Sequence, residues 1–254
     1  TKCGALVKHT YMINKKLIEL KRSFDKNGFV IIRNFFSQSK TKKLKKNLFN
    51  FIEKEKKILK KREIHFVKGS KQINSIHNLK WPYIKKLRDD KKLRLIVKNL
   101  INDKLKNFGA EVFAKPPKVG LAVPIHQDNY YWNVSNSKGA TVWLALDKCT
   151  KKNGALFYFS KSQKLGLLNH KSSYVPGSSQ TLSNLEILKK FKKTTPILNI
   201  GDMLIHHCLI VHGSNKNKSN KSRVGLTVRY IAKSSKINHS SKLKYEKSLK
   251  KQLS

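Results

Sequence analysis

Acidic residues are scarce in this chain. Its 254 residues include 14 Asp and Glu against 56 Lys and Arg, a formal net charge of +42. Such an excess favours a polyanionic partner, because neutralising phosphates drives most non-specific binding to nucleic acids. Arginine is scarce too, however, with seven residues among the 56, and phosphate and base readers depend on its bidentate group. The dispersed lysines are typical of an AT-rich genome, so the composition argues against a nucleic acid as dedicated partner.

Cysteines and long apolar runs are also few. Cys3, Cys149 and Cys208 lie far apart, form no CxxC motif and leave one thiol over in any pairing. This excludes a fold held together by disulfide bonds and predicts a reducing, cytoplasmic location. No apolar run approaches the roughly 20 residues that cross a bilayer. Because a secretory signal pattern is also missing from the first residues, we expect a soluble protein without a membrane span.

The first hundred residues carry mainly helical spacing. Apolar residues recur every three or four positions from 14 to 26, which predicts a helix that Asn27-Gly28 ends. Residues 29–36 are rich in β-branched and aromatic residues and predict a strand. The remaining helical signals are a second helix that opens at Ser37 and one or two more between 81 and 103, broken around Pro82 and Asp89-Asp90.

After Gly109 the pattern changes to short strands. Runs of β-branched residues are separated by turn residues, as at Pro116-Pro117 and Gly154. Helices followed by about seven strands predict an α+β fold whose strands close into a sandwich or jelly roll. The predicted strands cover 111–115, 121–127, 139–147, 154–160, 195–199, 202–211 and 223–231.

These signals predict one domain over residues 1–232, helical to about 108 and built of strands from about 109 to 232. Residues 161–194 form a long polar connection, and loops of that size are usually functional or mobile. The Lys- and Ser-rich tail from 233 to 254 has weak helical spacing, and we expect it to be peripheral.

The segment Val-Pro-Ile-His-Gln-Asp at 123–128 holds the first candidate ligands of a metal. Side chains two apart on a strand share a face, so His126 and Asp128 would point the same way and Gln127 the opposite way. A third ligand would come from the histidines at 206, 207 and 212. Two histidines and one carboxylate that leave positions open are the arrangement of non-haem Fe(II) oxygenases.

Arg223 strengthens this interpretation. It lies eleven residues after His212, which begins the segment His-Gly-Ser. A guanidinium on a neighbouring strand would bind the far carboxylate of a dicarboxylic cosubstrate whose other end chelates the metal. An HxD pair alone is a weak signal, so the prediction depends on this combination.

In this combination the sequence resembles the phytanoyl-CoA dioxygenase family of Fe(II)- and 2-oxoglutarate-dependent oxygenases. The resemblance spans roughly residues 14 to 231, and its motifs are specific together rather than singly. It implies a double-stranded β-helix, a cupin-like jelly roll with helices packed on the outside. The blocks that carry it are Asn27-Gly-Phe-Val-Ile-Ile-Arg-Asn-Phe-Phe-Ser37, Lys115-Pro-Pro117, His126-Gln-Asp128, Trp143, Asn153-Gly154, Gly201-Asp202, His212-Gly-Ser-Asn-Lys-Asn217 and Arg223.

The resemblance implies an iron site of His126, Asp128 and His212, with Arg223 holding the distal carboxylate of 2-oxoglutarate. The cofactors would be Fe(II), 2-oxoglutarate and O2. The enzyme would hydroxylate a C–H bond of a small molecule, with succinate and CO2 as co-products. Hydroxylation is favoured over halogenation because Asp128 is present where halogenating members have a small residue. The resemblance implies three further roles less directly. Ser214 would assist Arg223, and Lys115 and Trp143 would line the cosubstrate pocket.

Two assignments around the metal stay open. His206 and His207 compete with His212 for the third ligand, and we favour His212 because Gly-Ser and the spacing to Arg223 follow it. The residues beside the ligands could line a substrate pocket, or they could be an aromatic patch that packs the barrel mouth. The candidates for substrate contact are Gln127, Asn129, Tyr130 and Trp132, the last two facing His126 if the strand continues. Arg229 is expected on the surface.

Two other functions compete with the hydroxylase. The stretch from Arg223 to Arg229 is similar to the R-x-N-x-T-x-R signature of oxidative nucleic-acid demethylases, although Gly225 stands where that signature has Asn. A cupin-like isomerase or hydrolase would bind another metal and leave Arg223 as a structural ion pair. Neither the substrate nor the oligomeric state follows from the sequence, although the net charge favours an anionic small molecule.

Overall fold

The computed structural model describes residues 2–55 and 63–253. Six helices and thirteen strands occur in these residues. In chain order they are α1 (Lys2–Asn27), β1 (Phe29–Ile32), α2 (Gln38–Glu55), β2 (Ile64–Phe66), β3 (Ile73–Ile76), α3 (Tyr83–Arg88), α4 (Lys91–Ile101), β4 (Leu105–Lys115), β5 (Val123–His126), α5 (Asp128–Trp132), β6 (Gly139–Ala145), β7 (Leu156–Phe159), β8 (His170–Val175), β9 (Ser178–Leu182), β10 (Lys193–Thr194), β11 (Met203–His207), β12 (His212–Ser214), β13 (Arg223–Ala232) and α6 (His239–Leu253).

A seven-stranded antiparallel sheet in the order β1-β11-β6-β13-β4-β3-β2 forms the larger layer. Alternate residues of its strands form an outer face, where Val224, Leu226 and Val228 of β13 share a buried cluster with apolar residues of α2 and α4. The Asp90 side chain accepts a hydrogen bond from the Leu93 amide at 2.9 Å and caps the start of α4. The predicted helices therefore pack on the outside of the large sheet.

The inner face of the large sheet carries the polar residues. Side chains directly opposite each other on antiparallel strands point to the same face. The register therefore groups the inward residues of β4, β13, β6 and β11 into rows. The rows pair Lys115 with Arg223, Glu111 with Thr227 and Trp143, and Thr141 with His206.

A four-stranded antiparallel sheet in the order β10-β7-β12-β5 faces this inner surface. Strand β12 lies between β7 and β5, and its His212 stands directly opposite both Tyr158 and His126. Two facing antiparallel sheets with helices outside confirm the predicted α+β jelly roll. Within the described part of the chain, the helices include none long and apolar enough to cross a membrane.

The connection from 161 to 194 is more regular than predicted. It holds the hairpin β8–β9, whose turn at Pro176-Gly177 joins two polar strands. In contrast, residues 195–199 were expected to be a strand and form only one isolated bridge, Cys149 to Leu198. Pro196 has no N–H to donate, and Ile197 is half exposed, so neither residue stabilises a sheet edge.

The basic tail is not peripheral. Its helix α6 packs against α5 and β8. The ring of Tyr245 lies edge-on to Tyr130 and Tyr131, with centroid distances of 6.4 and 5.5 Å. Ser248 also exchanges a hydrogen bond with Ser172 of β8 at 3.2 Å. The tail therefore forms part of the wall around the barrel mouth.

Candidate metal centre

Three side chains bring possible metal ligands together at the mouth of the barrel. Among the described residues, His126, Asp128 and His212 are the one group of three whose ligand atoms all lie within 4.8 Å of one another. Asp128 Oδ1 lies 3.5 Å from His126 Nε2 and 3.6 Å from His212 Nε2. These are the three residues that the sequence predicted to converge.

The backbone orients both imidazoles for metal binding. His126 Nδ1 lies 2.8 Å from the carbonyl of Pro124, and His212 Nδ1 lies 3.0 Å from the carbonyl of Ile210. A carbonyl can only accept, so each Nδ1 carries the proton. Each Nε2 therefore turns an unprotonated lone pair toward Asp128, as a metal ligand requires.

The protonation states fit the same role. Burial and the neighbouring His126 lower the pKa of His212 well below its usual 6.5, so this imidazole is neutral at pH 7. Burial alone would raise the pKa of Asp128, but the surrounding histidines, with His206 as hydrogen-bond donor, hold it well below 3.8. Two imidazoles and one carboxylate form a donor set that suits Fe(II).

Asp128 points to the candidate metal position because it begins a helix, and not because of the predicted strand alternation. Strand β5 ends at His126, and Asp128 begins the short helix α5. Its second oxygen, Oδ2, accepts hydrogen bonds from Thr141 Oγ1 at 2.6 Å and from His206 Nε2 at 3.0 Å. Acidic residues are common in the first turn of a helix, and that preference is the signal that the strand reading missed.

The two other candidate histidines separate on β11. His206 points into the barrel toward Asp128, while His207 points to the opposite side and lies 5.7 Å from the Phe24 ring. Neither belongs to the three-residue group around the metal position among the described residues.

Arg223 lies deeper in the barrel and is fully buried. Its Nε and Nη2 donate to the carbonyl of Gly154 at 3.0 and 2.9 Å, and Nη2 lies 3.3 Å from Ser214 Oγ. The remaining nitrogen, Nη1, is buried without a hydrogen-bond partner in the described structure. The Trp143 ring lies 5.4 Å from the guanidinium. An orphaned donor on a buried cation fits an anionic group of a bound cosubstrate.

Lys115 stands directly opposite Arg223 in the sheet. Its Nζ donates to the carbonyls of Leu121 and Asn215, so it joins two loops at the closed end of the barrel. Burial and the Arg223 charge lower the pKa of Lys115 to about 6, and burial lowers that of Arg223 to about 10. A buried guanidinium beside an amine that can take up a proton fits a dianion such as 2-oxoglutarate.

Gln127 was predicted to contact substrate, and this prediction is wrong. Its side chain points away from the metal position and is completely buried. Its amide donates to the carbonyls of Gly166 and Leu209, and its oxygen accepts from the Leu168 amide at 2.7 Å. All three partners are main-chain groups, so Gln127 fixes loops behind the ligands.

Asn129 and Trp132 are likewise structural. Asn129 is buried and bonds to Val134 through both ends of its amide, and to Ser137 Oγ at 3.0 Å. Trp132 is buried and packs on Phe108 at 5.5 Å. The helical turn of α5 replaces the assumed strand, so the expected facing of Trp132 toward His126 does not occur.

The same turn exchanges the roles of two tyrosines. Tyr130, the predicted contact, stacks on His170 at 4.2 Å. Tyr131 instead lies edge-on to His126 at 5.5 Å, and its hydroxyl bonds to the main chain of Gln180. Tyr131 is therefore the tyrosine of α5 that contacts a candidate ligand.

Sequence reasoning also missed polar residues on the inner face. Arg229 was expected on the surface but is mostly buried, 3.3 Å from Glu111. Glu111 in turn lies 2.7 Å from His77 Nδ1. Alternation along β13 is the signal that could have found this ion cluster, since Arg229 lies six residues, an even number, from the inward Arg223.

Fold and site together define a class. A double-stranded β-helix with a two-histidine, one-carboxylate centre and a buried arginine beyond it is the design of a 2-oxoglutarate-dependent iron oxygenase. The comparison with known families agrees, because the phytanoyl-CoA dioxygenase family matches residues 24–225. The chain belongs to this family. Its cofactors are accordingly iron, 2-oxoglutarate and O2.

Three relatives show how distant the similarity is in sequence. A probable phytanoyl-CoA dioxygenase of Caenorhabditis elegans is 25% identical over 242 residues, which cover 84% of this chain and 74% of that protein. The peroxisomal phytanoyl-CoA dioxygenase of Homo sapiens is 22% identical over 234 residues, covering 86% and 69%. A probable alpha-ketoglutarate-dependent hypophosphite dioxygenase of Stutzerimonas stutzeri is 22% identical, covering 84% and 78%.

Solved structures show the same fold. EctD from S. alaskensis with bound Fe superposes with a TM-score of 0.73 at 21% identity, covering 86% of this chain and 77% of that one. The carbocyclase SnoK from nogalamycin biosynthesis gives 0.70 at 19% identity, covering 87% and 85%.

Proposed function

We propose that this enzyme hydroxylates a C–H bond of a small-molecule metabolite and releases succinate and CO2. The observation that carries the proposal is that one barrel interior holds both the three candidate metal ligands and the buried Nη1 of Arg223, which has no hydrogen-bond partner in the described structure. When bound, iron and 2-oxoglutarate supply the oxidising power for this reaction. The chain supplies binding, orientation and exclusion of water.

Each residue has a defined task in this proposal. His126, Asp128 and His212 hold the iron and leave its other positions open. Arg223 binds the distal carboxylate of 2-oxoglutarate, and Ser214 keeps the guanidinium in place. The ring of Trp143 and the amine of Lys115, which takes up a proton when the dianion binds, complete the cosubstrate pocket.

Anaerobic titration tests the proposal directly. Protein loaded with Fe(II) and mixed with 2-oxoglutarate should develop the visible metal-to-ligand charge-transfer band of a chelated keto acid. A protein that binds Fe(II) but shows no band at saturating 2-oxoglutarate would contradict the assignment. Zinc-loaded protein is the matched control, because Zn²⁺ has no redox chemistry and should give no such band.

We also propose that the substrate carries negative charge. The net charge of +42 supports this, as does Arg229, whose buried Nε has no hydrogen-bond partner in the described structure. The relative named for hypophosphite acts on a small oxyanion, according to its name. A screen of anionic, zwitterionic and neutral metabolites for succinate release coupled to oxygen uptake would decide, and turnover confined to neutral compounds would refute the proposal.

The nucleic-acid demethylase is disfavoured by the packing at Gly225. A Cβ atom there would lie 1.8 Å from Cζ2 of Trp143, so the Asn of the demethylase signature does not fit. His206, the histidine whose spacing suited that signature, also lies outside the three-residue metal group. Binding of methylated single-stranded DNA at physiological salt, with turnover, would reverse this conclusion.

A cytoplasmic location remains our proposal. Its support is the chemistry of two cysteines, Cys149 and Cys208, which are buried and unbridged in the described chain. The human relative is named as peroxisomal, so fractionation of cells that express the native chain would distinguish the two compartments.

A further inference from the structure

A fourth histidine lies beside the candidate metal centre without belonging to it. His206 is buried on the inner face of β11, directly opposite Thr141. Its Nε2 lies 3.0 Å from Asp128 Oδ2, and its Nδ1 lies 3.0 Å from the hydroxyl of Tyr158. His206 therefore bridges a carboxylate from α5 and a phenol from the small sheet.

The direction of these hydrogen bonds follows from the groups themselves. An ionised carboxylate only accepts, so the Nε2 of His206 carries the proton and donates to Asp128. With the proton on Nε2, Nδ1 can accept a hydrogen bond, and the Tyr158 hydroxyl can donate it. The result is an ordered chain in which Tyr158 donates to His206 and His206 donates to Asp128.

Packing fixes the far end of this chain. The Tyr158 ring lies between Phe29, stacked at 4.7 Å, and His212, stacked at 5.6 Å. Tyr158 is completely buried, and its neighbours leave the ring little freedom to turn. The hydroxyl is therefore held toward His206 by both sheets at once.

We propose that His206 and Tyr158 are positioning residues that keep Asp128 a one-oxygen ligand. Together with Thr141 Oγ1, His206 engages Oδ2 and leaves Oδ1 to face His126 and His212. A carboxylate held in this way cannot swing its second oxygen onto the metal, so the positions needed by 2-oxoglutarate and O2 stay open. The inference rests on the proposed iron site.

Metal affinity tests the proposal without turnover. Co(II) binding is followed by its ligand-field absorption in the wild type and in His206→Leu, His206→Gln and Tyr158→Phe. Loss of an outer partner of a ligand typically costs 10- to 100-fold in metal affinity, and we expect that loss in His206→Leu. His206→Gln can still donate to Oδ2 and should recover most of the affinity. Tyr158→Phe should lose about fivefold, the effect of one hydrogen bond.

A double-mutant cycle distinguishes an effect of Tyr158 that passes through His206 from a general effect of Tyr158 on packing. If Tyr158 acts through His206, Tyr158→Phe should have no further effect on Co(II) affinity in the His206→Leu background. His207→Gln is the matched control, since it changes a neighbouring histidine on the opposite side of β11, and its Co(II) affinity should equal that of the wild type. Urea unfolding of the metal-free variants identifies any that fail to fold.

Three outcomes would overturn the inference. One is wild-type affinity in both His206→Leu and Tyr158→Phe. Another is an equal effect of Tyr158→Phe with and without His206. The third is X-ray absorption that counts three imidazoles on the metal in the wild type, since His206 would then be a ligand. Failure of the wild type to bind Co(II) at all would instead refute the proposed iron site.

Discussion

The two sheets of the barrel contribute different chemistry to one site. The small sheet presents His126 and His212 on adjacent strands, with their Nδ1 atoms fixed by their own backbone. The large sheet presents cations and donors instead, namely Arg223 and Thr141. This division teaches that metal affinity and cosubstrate affinity should respond to different mutations.

The strongest test of that division is removal of a small-sheet ligand. His212→Ala leaves two ligands and should abolish Fe(II) binding at micromolar metal, with activity lowered by at least about 10³-fold. Iron per chain after desalting measures the first effect, and oxygen uptake the second. His207→Ala should retain both, and iron retained in His212→Ala but lost in His206→Ala would show that the third ligand is misassigned.

The corresponding change in the large sheet should spare the metal. Arg223→Ala removes a charge-assisted contact to the cosubstrate worth about 2–3 kcal/mol, so the KM for 2-oxoglutarate should rise about 30- to 150-fold. Fe(II) affinity should stay within twofold of the wild type. Arg223→Lys keeps the charge without the planar group, so its KM for 2-oxoglutarate should lie between those of the wild type and Arg223→Ala. Equal losses of iron and cosubstrate binding in Arg223→Ala would erase the distinction between the sheets.

The pH dependence of cosubstrate binding sharpens the comparison. The pKa of Lys115 in the free protein is about 6, and a bound dianion would raise it. Between these two values binding takes up a proton, so the Kd for 2-oxoglutarate should rise as pH increases above about 6, by up to tenfold per pH unit. Isothermal titration in buffers of different ionisation enthalpy measures the proton uptake. Lys115→Met should abolish it and leave the dependence of Fe(II) binding on pH unchanged.

The smallest expected effect concerns the packing behind the cosubstrate. In Gly225→Ala the new methyl group would lie 1.8 Å from Trp143 Cζ2, and the ring must move. Overpacking of this kind costs about 1–3 kcal/mol of unfolding free energy, measurable by urea denaturation. The same variant in a Trp143→Leu background has room for the methyl group and should be destabilised less by it.

Several elements could be predicted because local chemistry determines them. Strand β13 was predicted from its β-branched residues to within one residue of its observed end, and Asp90 caps α4 near the predicted break. Residues 170–182 fell within the long polar connection predicted from 161 to 194, although Pro176-Gly177 is a hairpin signal. Polar strands of this kind are specified by their neighbours rather than by their composition.

Prediction of the candidate site from the sequence meets the same limit. The three ligand candidates carry their chemistry in their residue types, so they could be predicted without knowing the backbone. The turn after His126 could not, and it decided the facing of Tyr131 and Trp132. The role of His206 depends on Tyr158, which is distant in sequence and comes opposite His212 only through sheet pairing. No spacing rule along the chain contains that contact.

The strand order has a consequence for how the protein matures. Residues 126 and 212 meet because β12 inserts between β5 and β7, and β1 pairs with β11 across more than 170 residues. Such long-range pairing closes slowly during folding. A chain that has not yet paired β12 with β5 and β7 therefore lacks His212 beside His126, and the third ligand joins the other two only when the barrel closes.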